Sequence, residues 1–438
     1  MRLGFIGIGY VGLVSGSCLA DIGNYVDCFD IDHDKIDALK KNKIPFFEPS
    51  LEDVVNNGIS NGNLRFYYFS EIDVDQYDAL FICVNTPNDT QGNTDLSSVF
   101  NVIEHLGNKI KKDCTIFLKS TVPVGTSQKV QEMIDTKLRE RKLQNIIVEV
   151  ASNPEFLKEG DAINDFRKPD RIIVGTESNN VKNMTRSIYA AHSHIDNKLI
   201  FMSRESSEMT KYAANSMLAT KISFMNDLAR LAEKTGANID SIRAGIGSDS
   251  RIGKHFIYAG LGYGGSCLPK DTISFVNQAK IKDVDLPVIE AAIRTNSIQV
   301  DFFVNKIEEF FTETGLPKNV AIWGLTFKPN TDDLRSSRAI VLGNKLLNRG
   351  YFIKSYDPMF NRIKSDERVK KFNMFDNRNA TLIDSNALIL ATEWREFWHV
   401  DCEEIKANGI KVVFDGRNIL RKEEILASGM KYVRIGQT

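Results

Sequence analysis

Short apolar runs, each ending at glycine, proline or polar residues, recur through the N-terminal part of the chain. Stretches with apolar residues at helical spacing lie between them. These runs predict buried strands at Arg2–Ile8, Tyr25–Phe29, Ala79–Val84, Thr115–Lys119 and Ile146–Val150. Because strands that alternate with helices form parallel sheets, the pattern predicts a doubly wound domain.

A long helix is predicted in the middle of the chain, from Ser206 to about Gly236. A serine can cap its start and glycine is typical of a helix end. Its apolar residues at helical spacing are Met209, Ala213, Met217, Phe224, Leu228 and Leu231. Helical spacing continues to about Gln299. Long helices between two sheet domains are typical of a connector and often form a dimer surface.

The last third of the chain repeats the pattern of the first. Its apolar runs predict strands at Asn319–Leu325, Tyr351–Tyr356, Ala387–Thr392 and Val412–Phe414. The predicted fold class is therefore α/β, with two Rossmann-like doubly wound domains joined by a long helical connector. We place the domains at residues 1–200, 201–300 and 310–438. A cleft between two such domains is a common place for an active site.

The first predicted strand runs directly into the loop Gly7-Ile8-Gly9-Tyr10-Val11-Gly12, which opens a helix. Gly7 permits the tight turn, Gly9 leaves room for a pyrophosphate, and Gly12 allows close packing of helix and strand. The second strand ends at Asp30, whose carboxylate can accept hydrogen bonds from both ribose hydroxyls. An acid there favours NAD over NADP, although the nearby Lys35 is able to reach a phosphate. The pattern predicts an NAD site.

Hydroxyl and carboxylate side chains follow the later strands. Thr86, Ser120 and Thr121 lie after two strand ends, where a parallel sheet binds its ligand, so we expect them to face the cofactor. Glu155 and Glu159 are four residues apart, and they would share a face if that stretch is helical. Lys211 and Asn215 have the same spacing in the long helix.

Composition narrows the classes of protein. The chain has 438 residues and a net charge of -1, with no long basic cluster, so we expect neither a nucleic acid nor a membrane as partner. No apolar run approaches the roughly 20 residues of a membrane span. The N-terminus lacks the pattern of a signal peptide, and we expect a cytoplasmic protein.

One of the six cysteines stands apart from the others. No CxxC pair occurs and the histidines do not cluster near cysteines, so no metal site is predicted. Cys28, Cys83 and Cys114 lie in or beside predicted strands, as buried structural thiols do. Cys267 lies instead within Gly262–Asp271, GYGGSCLPKD, among three glycines and before proline, lysine and aspartate.

Taken in order, eight motifs resemble the UDP-glucose/GDP-mannose dehydrogenase family over essentially the whole chain. The motifs are GIGYVG (Gly7–Gly12), VNTP (Val84–Pro87), STVPVGT (Ser120–Thr126), NPEFLKEG (Asn153–Gly160), KYAAN (Lys211–Asn215), RIGKHF (Arg251–Phe256), GYGGSCLPKD (Gly262–Asp271) and GLTFKPNTDDLRSS (Gly324–Ser337). The family oxidises the primary alcohol of a sugar nucleotide to a carboxylate in two NAD-dependent steps without releasing the aldehyde.

The resemblance implies a set of catalytic roles. Cys267 is the nucleophile that forms a thiohemiacetal and then a thioester, and Lys211 stabilises the oxyanion. Asp271 and Asn215 position water, with Asp271 as the base for hydrolysis. Glu159 and Thr121 belong to the water network, and Glu155 lies near nicotinamide and substrate. The general base stays open among Lys211, Glu159 and Asp271.

The resemblance to the family also implies which residues bind NAD and the sugar nucleotide. NAD is contacted by the loop residues Gly7, Gly9, Tyr10, Val11 and Gly12 and by Asp30, Lys35, Thr86, Thr121, Glu155 and Arg335. The sugar nucleotide is contacted by Glu155, Leu157, Lys211, Asn215, Tyr258, Gly264, Phe327, Lys328 and Arg417. Arg251 matches a residue that reaches the substrate of a neighbouring subunit, so we expect a homodimer or a higher homo-oligomer.

The expected reaction is the four-electron oxidation of UDP-glucose to UDP-glucuronate. GDP-mannose is the alternative substrate, since its dehydrogenases share GGSCLPKD. The motifs RIGKHF, NPEFLKEGDA and PDR (Pro169–Arg171) are more like those of the UDP-glucose branch. Dehydrogenases of UDP-N-acetyl sugars usually carry histidine where this chain has Ser266, which argues against a UDP-N-acetyl sugar as the substrate.

Overall fold

A computed structural model describes residues 1–190 and 198–437 of the chain. These residues form two compact units, Met1–Ala214 and Asn215–Thr438. The first unit is built on one sheet of eight strands in the order β3-β2-β1-β4-β5-β6-β7-β8. Its strands are β1 Arg2–Ile6, β2 Tyr25–Asp30, β3 Leu64–Tyr68, β4 Ala79–Ile82, β5 Cys114–Leu118, β6 Val148–Ser152, β7 Ile172–Gly175 and β8 Leu199–Met202.

All neighbouring strands of this sheet are parallel except β6 and β7. The first six strands have the order of a dinucleotide-binding fold, in which the order reverses beside β1. Helices connect the strands: α1 Tyr10–Asp21, α2 His33–Lys40, α3 Leu51–Ser60, α4 Ser97–Lys109, α5 Thr126–Glu140, α6 Ala162–Arg167 and α7 Asn179–Ile188. Short 3-10 turns lie at Phe69–Glu71 and Val74–Gln76.

Apolar side chains cover both faces of this sheet. On one face Phe5 stacks on Phe81 with ring centroids 4.5 Å apart, and Phe81 stacks on Phe117 at 4.8 Å. Ile6 and Ile82, one residue further along two of these strands, belong to the core of the other face. Burial on both faces explains why these strands are continuous apolar runs in the sequence.

The second unit carries a six-stranded sheet in the order β11-β10-β9-β12-β13-β14, with every pair parallel. Its strands are β9 Asn319–Trp323, β10 Phe352–Tyr356, β11 Met374–Phe375, β12 Ala387–Leu390, β13 Val412–Asp415 and β14 Lys431–Arg434. Helix α8, Arg204–Thr235, leads into this unit. Its other helices are α9 Ile239–Gly247, α10 Leu268–Ile281, α11 Pro287–Thr314, α12 Arg338–Leu347, α13 Phe360–Ile363, α14 Cys402–Ala407 and α15 Lys422–Ala427, with 3-10 turns at Lys370–Phe372, Asn379–Thr381 and Arg395–Phe397.

The predicted fold class is confirmed: two Rossmann-like units are joined by one long helix. The weakest strands were missed, because β3, β7, β8, β11 and β14 are short or partly exposed and give no clear apolar run. Over the described ranges, 1–190 and 198–437, no helix combines the length and the apolar character that crossing a bilayer requires.

Two local features could not be read from the helical spacing alone. Residues 153–158 are not helical, so Glu155 and Glu159 do not share a helix face. Pro154 disfavours helix at the residue before it. In α8 the predicted apolar stripe is largely exposed: Met209, Met217, Phe224 and Leu231 are each at least half exposed.

Candidate active site

The glycine loop of the first unit is shaped to hold a dinucleotide. A Cβ on Gly12 would lie 2.0 Å from the carbonyl oxygen of Gly7, so only glycine allows this approach of α1 to the loop. A Cβ on Gly9 would meet only the Asn85 side chain, at 3.6 Å. Space therefore remains above Gly9 at the start of α1, where free N–H groups favour a phosphate. These features fit NAD.

Asp30 ends β2 and is 7% exposed. One of its oxygens accepts a hydrogen bond from Ile8 N at 2.7 Å, which ties the acid to the glycine loop. Lys35 Nζ lies 3.0 Å from that same oxygen. The ion pair and the bond from Ile8 hold the carboxylate and the lysine side by side next to the glycine loop.

The residues that follow β4 and β5 bind to each other. Thr86 Oγ1 donates a hydrogen bond to Thr121 O at 2.8 Å, and Ser120 Oγ donates one to Val84 O at 2.7 Å. These bonds join the two strand ends at the carboxyl edge of the sheet. Thr86 and Thr121 thus lie at the edge where the fold binds its cofactor.

A buried ion pair connects the NPEFLKEG segment to α8. Lys211 Nζ lies 3.1 Å from Glu155 Oε1, and the two side chains are 5% and 7% exposed. The other Glu155 oxygen accepts a hydrogen bond from Leu157 N at 2.5 Å. Lys211 Nζ also lies 5.2 Å from the centre of the Phe156 ring. Glu155, Leu157 and Lys211 were all predicted site residues, but the pairing of Glu155 with Lys211 was not predicted.

Lys119 is a second buried lysine in this region, which the sequence analysis did not single out. Burial lowers the pKa of its ammonium group, and Lys211 adds to that effect, while Cys83 and Glu155 oppose it. Its Nζ donates a hydrogen bond to Asn153 Oδ1 at 3.4 Å. Lys119 thereby supports the first residue of the NPEFLKEG segment.

Four of the six thiols are buried, and the exceptions among the six are Cys267 and Cys402. Burial raises the pKa of Cys18, Cys83 and Cys114 to about 12 and that of Cys28 well above its usual value. Such thiols stay protonated and are poor nucleophiles. The structural reading of Cys28, Cys83 and Cys114 is confirmed.

Cys267 lies immediately before α10, at the N-cap position of that helix. Pro269 in the first turn has no N–H to satisfy, and it fixes the backbone for a helix start. The Cys267 thiol is partly exposed and lies 3.5 Å from Ser266 Oγ. The positive end of a helix dipole favours negative charge in this position, which suits a thiolate.

Asp271 is one turn further along α10. Its backbone N–H donates to Cys267 O at 2.8 Å, and the side chain is 1% exposed. The carboxylate accepts a hydrogen bond from Asn215 Nδ2 at 2.6 Å and lies 2.6 Å from Lys270 Nζ. Asn215 lies in α8 one turn after Lys211. The side chains of Lys211 and Asn215 are both buried and lie on one face of that helix.

The glycines around the thiol allow close packing against a neighbouring segment. A Cβ on Gly264 would lie 2.3 Å from Ser336 O, and one on Gly265 would lie 2.6 Å from the Phe327 ring. Gly265 N also donates to Arg335 O at 3.0 Å. The loop is therefore packed on the GLTFKPNTDDLRSS segment, and this packing positions Cys267.

Among the remaining predicted ligand-binding residues of the second unit, three are exposed and three are partly buried. The exposed ones are Arg251, Tyr258 and Arg335, and the partly buried ones are Phe327, Lys328 and Arg417. Arg417 Nε donates to Ala391 O at 2.7 Å and lies 3.2 Å from Glu393 Oε2. Lys328 Nζ lies 5.4 Å from the centre of the Phe327 ring. The other contacts join Arg335 to Asp333, Arg251 to Asp249, and the Tyr258 ring to Arg243.

Arg338, which was not predicted, lies near Arg417. Its Nη2 donates to Asn296 O at 2.9 Å and its Nε to Leu261 O at 3.3 Å. Burial, aided by the positive charge of Arg417, lowers the pKa of Arg338 to about 10. Arg338 donates to backbone carbonyls, whereas Arg417 also pairs with Glu393.

Three consecutive regions match one protein family. Residues 1–193 match the NAD binding domain of the UDP-glucose/GDP-mannose dehydrogenase family, residues 205–298 its central domain and residues 321–422 its UDP binding domain. The chain belongs to this family. The predictions of an NAD-dependent oxidoreductase are thereby confirmed.

Full-length relatives agree with that result. A UDP-glucose 6-dehydrogenase of Pseudomonas aeruginosa is 39% identical over 443 residues, which cover 100% of this chain and 98% of the relative. One from Rhizobium meliloti is 38% identical, with 100% of both chains covered. The solved structure of a UDP-glucose dehydrogenase from Pyrobaculum islandicum has a TM-score of 0.88 at 32% identity and covers 100% of this chain and 98% of its own.

Gly265→Ala tests the packing of the thiol loop. The new methyl group would clash with the Phe327 ring, and it would also occupy a backbone with φ of +85°. Gly315→Ala is the matched control, since Gly315 has φ of +64° and nothing within 4 Å of a Cβ. We expect the control to cost about 1 kcal/mol of stability from backbone strain alone. Gly265→Ala should cost at least about 1 kcal/mol more.

Thermal unfolding followed by circular dichroism measures both variants. Equal melting temperatures for the two variants would contradict a packing role for Gly265.

Proposed function

We propose that this chain oxidises UDP-glucose to UDP-glucuronate with NAD as the oxidant. The observation that carries the proposal is the start of α10, where a partly exposed thiol and a buried carboxylate lie one helical turn apart. The full-length relatives, which carry the name UDP-glucose 6-dehydrogenase, support it. The predicted roles of the individual residues belong to this proposal.

The first step converts the C6 alcohol of the sugar to an aldehyde. NAD, when bound, accepts the hydride in this step and again in the second oxidation. The hydroxyl proton passes to a base, for which Lys211, Glu159 and Asp271 are the candidates.

In the second step the Cys267 thiolate attacks the aldehyde carbon. A carbon–sulfur bond forms and the carbonyl oxygen becomes an oxyanion, which the Lys211 ammonium group stabilises. Loss of a hydride from C6 turns this thiohemiacetal into a thioester. The carbon is now at the oxidation level of the acid, and the sulfur still holds it.

Hydrolysis completes the reaction. Asp271 takes a proton from a water molecule, whose oxygen attacks the thioester carbon. The carbon–sulfur bond breaks and Cys267 returns to the thiolate. Asn215 holds the Asp271 carboxylate through the bond at 2.6 Å. In sum one alcohol, two NAD and one water give one carboxylate, two NADH and three protons.

The predicted binding residues divide into those that would contact NAD and those that would contact the sugar nucleotide. Asp30, Lys35, Thr86, Thr121 and Arg335 would contact NAD together with the glycine loop. Leu157, Tyr258, Gly264, Phe327, Lys328 and Arg417 would contact the sugar nucleotide, and Arg251 that of a neighbouring subunit. The match of residues 321–422 to a UDP binding domain favours a uridine nucleotide. The domain boundaries, the lack of a metal and the cytoplasmic location stay predictions.

Substrate choice is decided by a direct assay. The purified chain with NAD should release two NADH for each UDP-glucose consumed, and much less with GDP-mannose at the same concentration. NADH absorbance gives the rate, and chromatography gives the amount of sugar nucleotide that remains. Faster turnover of GDP-mannose would establish the alternative substrate, while a ratio of one NADH would contradict the two-step oxidation.

Cys267→Ser tests the nucleophile. The variant should lose formation of the acid by on the order of a thousandfold, because a hydroxyl is a far weaker nucleophile than a thiolate. UDP-glucose binding, measured by calorimetry, should be retained. Cys402→Ser is the matched control, since Cys402 is the other partly exposed thiol among the six. Unchanged turnover in Cys267→Ser would exclude the thioester route.

Asp271→Asn tests the last step in the same assay. If Asp271 activates water, this variant should accumulate the thioester, and mass spectrometry of the intact chain should show the sugar nucleotide attached at Cys267. Absence of the adduct together with normal turnover would remove Asp271 from the hydrolysis.

We also propose that the partner is a second copy of this chain, joined through α8. Met217, Phe224 and Leu231 are 62%, 52% and 59% exposed and lie seven residues apart, the spacing at which helices pair. Exposed apolar residues in a row on one helix are typical of an interface.

Phe224→Asp should break the dimer, because it places a charge in the apolar contact. Phe352→Asp is the matched control, since Phe352 is 51% exposed and begins strand β10 instead of belonging to α8. Light scattering after size exclusion measures the mass of each variant. A monomeric wild-type chain, or dimers of equal stability in both variants, would contradict the interface.

A further inference from the structure

Glu48 is a buried carboxylate to which the sequence analysis assigned no role. It is 5% exposed and lies in the segment between α2 and α3. Its Oε2 accepts hydrogen bonds from Tyr10 Oη and from Gly160 N, both at 2.6 Å. Its Oε1 accepts one from Ala162 N at 2.7 Å. One side chain thus contacts two segments that are 150 residues apart in sequence, Tyr10 and Gly160.

Both segments belong to the proposed reaction. Tyr10 is the first residue of α1 and lies in the glycine loop that fits the NAD phosphates. Gly160 ends the segment that carries Glu155 and Glu159. Burial and the Glu48 carboxylate raise the pKa of the Tyr10 phenol far above its usual value, so the hydroxyl remains a donor.

We propose that Glu48 is a positioning residue that couples NAD binding to the conformation of residues 155–160. Oε2 is shared by one donor from each segment, so a shift of the glycine loop moves the carboxylate and changes its bond to Gly160. The inference rests on the proposed function for the roles of Glu155 and Glu159, but not for the contacts themselves.

The backbone beside Glu48 holds its side chain in place. Pro49 follows it and restricts the chain. Ser50 then has φ of +63°, in the left-handed region that costs free energy for a residue other than glycine. Such strain persists only where the surroundings determine the conformation, and it is frequent next to functional sites. On the other side, the Tyr10 ring packs 5.1 Å from the Phe46 ring.

Tyr10→Phe removes one bond of the link and keeps the ring. We measure amide hydrogen exchange of the peptide over residues 155–162, with and without NAD. In the wild-type chain NAD should slow exchange at the Gly160 and Ala162 amides. In Tyr10→Phe this NAD-dependent slowing should fall about tenfold, the size expected for a hydrogen bond to a charged group. NAD binding should weaken in the same variant, because coupling is reciprocal.

Tyr77→Phe is the matched control. Tyr77 Oη donates to Asp27 Oδ2 at 2.9 Å, and both residues are buried in the same unit. Tyr77 precedes β4, so it lies at the amino edge of the sheet, whereas the glycine loop lies at the carboxyl edge. This variant loses a buried phenol–carboxylate bond and should keep the full response to NAD.

Glu48→Gln tests the carboxylate itself. An amide cannot accept at both ends, so either Ala162 N or the pair Tyr10 and Gly160 loses its acceptor. We expect the same loss of NAD-dependent slowing. Should this variant fail to fold, Tyr10→Phe decides alone.

A full NAD response in Tyr10→Phe, or an equal loss in Tyr77→Phe, would overturn the proposal. Because the readout needs NAD but no turnover, it is separate from the substrate assay. Failure to oxidise UDP-glucose would leave the coupling intact and remove only the proposed reaction.

Discussion

Burial of Lys211 is the constraint that determines how the candidate site residues of the first unit are arranged. An ammonium group in a site 5% exposed is stable only beside an opposite charge, and Glu155 supplies it at 3.1 Å. Breaking such a pair by removing one partner typically costs about 3–5 kcal/mol, because the other charge is left buried. The requirement fixes the NPEFLKEG segment against α8.

Much of the fold could be predicted because the apolar runs of both sheets are buried on two faces. The glycine loop and Asp30 could be recognised because the loop is formed by residues that are neighbours in sequence and the acid follows the next strand. Predictions failed where distant contacts decide. Glu155 pairs with Lys211, 56 residues further along the chain, and Gly265 is required by the Phe327 ring. Glu48 escaped notice because its donors lie far away in the chain.

The two sheets show how one fold can serve two ligands. In the first, the acid after the second strand, Asp30, binds Ile8 N and still lies beside the glycine loop. Its counterpart in the second unit, Asp357, is fully buried and accepts hydrogen bonds from Leu325 N, Thr326 N and Met359 N. Because backbone donors use this carboxylate, it is not available to a ribose. A nucleotide in the second unit must therefore be bound by other groups, in accord with its lack of GxGxxG.

Helix α8 buries polar side chains together with apolar ones such as Tyr212 and Met225, and it leaves other apolar residues exposed. Its buried positions include Lys211, Asn215 and Asn226, while Met217 and Phe224 are exposed. Helical spacing of apolar residues predicts a helix whether the apolar row is buried or exposed, because the period of the pattern is the same. The direction of burial depends on what packs against each face. The buried side of α8 is covered by this chain, and the exposed apolar row Met217, Phe224 and Leu231 is the surface on which the proposed pairing with a second copy rests.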